Sequence, residues 1–127
     1  MFSHVMLGAN DLAAARQFYD ATFAALGGPA GRYDAKGRIL YMHDGGLFML
    51  SKPIDGEPAC PANGGTLGFK AGSPEKVEAW HSAGVANGGV SIEDAAGPRE
   101  SGIGTIFLAY LRDPTGNKIC AMHMMNS

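Results

Sequence analysis

The 127-residue chain has few cysteines, few charged residues and no long apolar run, and each shortage removes a class of function. Its two cysteines, Cys60 and Cys120, cannot build a disulfide framework, and neither stands in a CxxC pair. A reduced, cytoplasmic protein is the expectation, because cytosolic thiols rarely pair. Charged residues make up 17% of the chain and the formal net charge is −2. No basic cluster tracks a phosphate backbone, so nucleic acid is not an expected partner. No stretch reaches the ~20 apolar residues that cross a bilayer, so no membrane partner is expected either. The opening Met1-Phe-Ser-His4 lacks the basic-then-apolar pattern of a signal peptide.

What the chain does have is an internal echo at an offset of 62 residues. His4-Val-Met-Leu7, the helix signal Asn10-Asp11 and Phe18 recur as Thr66-Leu-Gly-Phe69, Ser73-Pro74 and Trp80. Gly27 returns as Gly89, and each half ends in a glycine-led apolar strand, Gly45–Leu50 and Gly116–Ala121. Residues 2–8 alternate as a strand, and Asn10-Asp11 can cap the helix that follows. Leu12, Ala15, Tyr19, Thr22 and Leu26 share one helix face, with Phe18 beside them. Residues 30–43 read as a hairpin turning at Lys36-Gly37, and 46–51 as a fourth strand. The second half repeats the order: strand 66–71, a helix from Ser73, then strands near 90–93, 105–111 and 117–123. The spacing predicts an α+β fold of two tandem βαβββ modules in a single domain. Module one spans 1–51, a Pro- and Gly-rich linker 52–64, and module two 65–127.

The opening Ser3–Tyr19 and the closing Leu111-Arg-Asp-Pro-Thr-Gly-Asn-Lys-Ile119 resemble the vicinal oxygen chelate superfamily. That group includes glyoxalase I, bleomycin-resistance proteins and extradiol dioxygenases, and the resemblance covers essentially the whole chain. It implies curved sheets around a cleft, often in a homodimer. Turn chemistry alone accounts for Asp113, Pro114 and Gly116: Pro fits φ near −65°, Gly a positive φ, and Asp accepts backbone N–H groups.

The resemblance also implies a divalent metal held by His, Glu or Gln from the first and last strands of each module. Carried over, those positions are His4, Met49, Thr66 and Cys120. Only His4 matches, and a thioether, a hydroxyl and a thiol do not suit a hard ion. No cofactor is therefore expected, with a divalent metal as the alternative. His4 is the candidate catalytic residue, as a general acid or base. Met49, Thr66 and Cys120 are candidate substrate-binding residues. Tyr41, Phe48 and Tyr110 could stack on a planar ligand, although period 2 turns Phe48 away from Met49. Arg99, in a long segment expected to be a flexible lid, could clamp a carboxylate. His123 falls on the opposite face from Cys120, His81 reads as a helix-surface residue and His43 as a turn residue.

Two classes of function stay open. One is a small-molecule binder or enzyme working without metal in the inter-module cleft. The other is a metal-dependent lyase or dioxygenase of the lactoylglutathione lyase kind, using His4. Fold alone does not decide between them.

Overall fold

The computed structural model describes residues 1–125; the last two residues of module two lie outside the described part. Module one runs β1 (Val5–Gly8), α1 (Leu12–Ala25), β2 (Arg32–Tyr33), β3 (Ile39–His43) and β4 (Gly46–Ser51). Module two runs β5 (Leu67–Lys70), α2 (Pro74–Ala86), β6 (Val90–Ser101), β7 (Gly104–Arg112) and β8 (Lys118–Met124). Each module makes one four-stranded sheet, ordered β1-β4-β3-β2 and β5-β8-β7-β6. First and last strands pair in parallel, as Met6 with Met49 and Gly68 with Cys120, and the remaining pairs are antiparallel. The echo in sequence is thus an echo in topology. The first strand is shorter than the alternation of residues 2–8 suggests, and leaves His4 just outside it.

Caps and glycines set the helix limits. The Asp11 side chain accepts the Ala14 N–H at 3.0 Å, and Gly27 ends the helix region with φ 87°. Ser73 caps α2 through the Lys76 N–H, with Pro74 in the first turn. Asn10 does not cap; it pins the linker, exchanging hydrogen bonds with both the N–H and the carbonyl of Ala59.

Strand alternation then divides each sheet. Ile39, Tyr41, Phe48 and Leu50 face α1, while Ala109, Leu111, Ile119 and Ala121 face α2, and all eight belong to one core with Phe18 and Trp80. Rings tie the modules together: Phe69 on β5 lies 5.4 Å from both Phe23 and Phe48. Gly84 is the close-approach point of the helices, since a Cβ there would collide with Leu111 and crowd Phe18.

One polar seam crosses the module boundary inside this core. Asp113 is buried, and its Oδ1 accepts N–H bonds from Thr115, Gly116 and Asn117. Its Oδ2 accepts from the Asn117 amide at 2.9 Å and from the Tyr19 hydroxyl of α1 at 2.7 Å. Asn117 also donates to the Gly8 carbonyl at the end of β1. The turn that sequence logic made purely local is also a fastening to the other module.

The segment around Arg99 is a strand, not a lid. β6 runs unbroken to Ser101 and returns through Gly102-Ile103 as β7, pairing Pro98 with Phe107 and Arg99 with Ile106. Gly-Pro and Gly-Ile-Gly suggested a loop, but β6 is an edge strand, where a proline costs no ladder bond. A bulge between Ile92 and Gly97 absorbs the irregular stretch, with Glu93 at φ 60°.

Candidate functional site

The faces turned away from the helices carry the residues that the sequence nominated. On the first sheet, Met49 lies beside Met6 and Leu40 in register, with His4 just before the same strand. On the second, Cys120 lies between Gly68 and Tyr110, with Thr66 just before β5. Met49 and Cys120 are buried, whereas His4 and Thr66 are exposed. Thr66 lines a concavity with Val5 and Leu7 of β1 and with Asn117 and Lys118, whereas Cys120 belongs to an apolar cluster made only of module-two residues. No described hydrogen bond or apolar cluster joins the two far faces, and the modules meet through the helix-side core.

The second far face is the more elaborate. Ile106, Leu108 and Cys120 form a separate apolar cluster flanked by Tyr110 and Met122. Burial pushes the Cys120 thiol up to about 11, with Glu93 adding to the rise and Lys118 opposing it. Burial also raises the Tyr110 phenol, and Cys120 and Glu93 push the same way. Both groups are neutral at pH 7. Lys118 sits 5.0 Å from the centre of the Tyr110 ring and ion-pairs with Glu93, whose backbone the bulge holds. Lys118 and Met122 share the parity of Cys120 on β8, the sequence signal that could have added them to the site.

Other nominated residues are placed elsewhere. Tyr41 and Phe48 face α1 in the core, 1% and 5% exposed, and their edges reach a small concavity shared with Leu67, Gly68 and Phe69 of β5. Tyr41 donates to Asp20 at 2.6 Å and stacks on Phe23 at 4.5 Å. Its buried phenol is raised far above the ordinary value. The period-2 argument held for Phe48 and applies equally to Tyr41. Arg99 is spent on its own strand: its guanidinium donates to the carbonyls of Asp94, Ala95, Gly97 and Pro98 across the bulge. It staples the bulge, and its fork is not open to a substrate carboxylate. His123 reaches the Ala71 carbonyl on the helix side, away from Cys120. His81 lies 2.9 Å from Ser91, and burial lowers its pKa. His43 ends β3 rather than sitting in the turn, which Asp44 and Gly45 make with positive φ.

Among the described residues no group of three or more His, Cys, Asp or Glu side chains is placed to hold a metal ion. The donors fail on chemistry as well as on number. A divalent site of the N/O type needs imidazole or carboxylate ligands, and here one exposed imidazole is accompanied by a hydroxyl, a buried thioether and a protonated thiol.

The sequence profile of the Glyoxalase/Bleomycin resistance protein/Dioxygenase superfamily matches residues 1–121. The chain is similar to a crystal structure of a glyoxalase/bleomycin resistance protein from Albidiferax ferrireducens T118. The two are 50% identical over 97% of this chain and 98% of that one, with a TM-score of 0.93. A family enzyme from Burkholderia phytofirmans PsJN shares the fold at 16% identity and TM-score 0.71, over 97% of this chain and 98% of that one. A lactoylglutathione lyase from Agrobacterium tumefaciens does so at 22% identity and TM-score 0.65, over 97% and 92%. Among curated proteins, none matches the chain. No helix among the described residues is long and apolar enough to cross a membrane.

Proposed function

We propose, for a chain that belongs to the Glyoxalase/Bleomycin resistance protein/Dioxygenase superfamily, a metal-independent role in holding a small molecule between the far faces of its two modules. The donor set carries this reading. Of the four positions where the family pattern would put ligands, only His4 offers one that suits a hard divalent ion. The same set suits an apolar or aromatic guest. Cys120, Leu108, Ile106 and Met122 give an apolar bed, and the protonated Tyr110 phenol supplies a hydrogen-bond donor. A few polar groups on an apolar wall is the usual character of a small-molecule site. Thr66 and His4 add a hydroxyl and an imidazole at the margins. A thiol held protonated contributes contact and not nucleophilic attack, which favours binding over covalent chemistry.

The working unit in this reading is a cytoplasmic homodimer. The far face of one copy's first sheet closes over the far face of its partner's second sheet. Two observations support it: the apolar cluster around Cys120 contains no module-one residue, and a single chain leaves Met6, Met42 and Met124 39–59% exposed.

The deciding experiment is metal analysis of protein purified without added metal. The expected result is no stoichiometric divalent ion. Equimolar nickel, zinc, manganese or iron that is lost on His4→Ala would establish instead the metal-dependent lyase or dioxygenase reading.

A further inference from the structure

A second concavity, lined by module one and the linker of one chain, lies where the linker folds back over the end of β1. This open groove has a volume of about 700 Å³, within the range of small-molecule clefts, which runs from about 300 to 1,000 Å³. Met6, Pro53 and Ile54 give it apolar walls, and Lys36, Arg38 and Lys52 set three cations along it, with Arg38 paired to Asp34 and Asp55 the one carboxylate in the lining. This is unusual in a chain of net charge −2.

The cleft is built, not a gap beside a slack linker. The Ala9 N–H bonds the Ser51 carbonyl at 2.9 Å, and Asn10 clamps Ala59 from both sides at 2.6 and 3.1 Å. Between those anchors, Gly56 closes a turn onto the Pro53 carbonyl and Asp55 accepts the Glu57 N–H. On the opposite wall, Asp34 accepts from both the Arg38 backbone N–H and its Nε, the latter at 2.6 Å. That bond fixes the plane of the guanidinium, and its two Nη nitrogens donate to no described residue. Neither lysine makes an ion pair with a described residue, and the Ile54 side chain stands fully in water. Unpaired cations beside an uncovered apolar side chain leave two complementary demands on one ligand.

We infer that this cleft binds a small organic anion: a carboxylate or similar oxyanion held by Lys36, Lys52 and the Arg38 fork, on an apolar body that covers Met6, Pro53 and Ile54. The fork suits an oxyanion, and the lysines act as point charges that also speed its capture. The inference does not rest on the dimer: apart from Met6, which lies on the far face of the first sheet, the residues involved sit in the turn before β3 and in the linker of a single chain.

The test is a calorimetric titration with 2-naphthoate and with 2-naphthamide, which keeps the shape and lacks the charge. Naphthoate should bind, with an affinity that falls as sodium chloride is raised. Naphthamide should bind at least about tenfold more weakly, the scale of one lost charge-assisted hydrogen bond. The double variant K36Q/K52Q and, separately, Ile54→Glu should each weaken naphthoate by a similar factor. Both alter exposed side chains, so an unchanged melting temperature confirms that the fold is intact. Thr66→Trp, which fills the other face, should leave naphthoate binding unchanged. Equal affinity for the amide, insensitivity to K36Q/K52Q, or loss of binding in Thr66→Trp would each overturn the assignment.

Discussion

The seam between the modules gives the sharpest stability prediction, through the loss of one oxygen atom in Tyr19→Phe. The Tyr19 ring is fully buried and stays so in the variant, packed 4.8 Å from Phe18 and 4.9 Å from Phe48, so no cavity opens beyond the hydroxyl itself. What is lost is a 2.7 Å bond to Asp113, a carboxylate 4% exposed. After the change its Oδ2 keeps only the Asn117 amide. A hydrogen bond to a charged group contributes about 1.5–3 kcal/mol, and water cannot easily replace it at this depth. For a domain of this size that corresponds to a fall in melting temperature of roughly 5–15 °C. Chemical denaturation of wild type, Tyr19→Phe, Asn117→Ala and the double variant measures the coupling directly. The two losses should be non-additive, because both remove donors from one oxygen. A Tyr19→Phe cost below about 0.5 kcal/mol, typical of a bland surface change, would refute the seam as a fastening.

The metal-independent reading predicts that chelators leave the melting temperature unchanged. A bound ion at a hundredfold excess over its Kd would instead add about 2.7 kcal/mol of stability that chelation removes. Light scattering on the purified protein should give twice the 13.2 kDa chain mass at micromolar concentration, and a monomer mass there would sink the shared-cleft arrangement.

Much of the fold was legible because it is written twice. The repeat gave the strand and helix order, and cap chemistry at Asp11 and Ser73 fixed where both helices begin. Three things were less legible, each for a physical reason. Asn10 and Asp11 are both good caps, and only the linker's position selects Asn10 for Ala59. The stretch 94–104 has loop composition, yet edge placement and an arginine that satisfies four carbonyls let it lie as strand. Tyr41 and Phe48 were nominated as aromatics, while parity, which decides the face, assigned them to the core. The site was legible as a set of positions and not as an assembly. Parity puts Met49 and Cys120 on the faces turned from the helices, but the contact that joins the modules runs through the helix side, where Gly84 lets α2 approach Phe18 and Thr22 of α1, and that contact has no local signature.

Cys120 is where chemistry and packing can be separated most cleanly. A cysteine on a site-bearing face invites a nucleophilic role, and the adjacent Lys118 pulls its pKa down, as an activated thiol requires. Desolvation pulls the other way and wins, leaving the thiol at about 11. At pH 8 roughly one molecule in a thousand then carries a thiolate at Cys120, about a hundredfold less than an ordinary cysteine. Iodoacetamide at pH 8 followed by peptide mapping should therefore label exposed Cys60 and spare Cys120. The sign carries over to stability. The folded state holds its proton above the unfolded pKa of about 9, so this contribution is intact below pH 9 and lost as the pH rises towards 11. Cys120→Ala should flatten that alkaline loss. Labelling of Cys120 at the rate of Cys60 in folded protein would show that Lys118 outweighs burial, and would return the residue to the role of nucleophile.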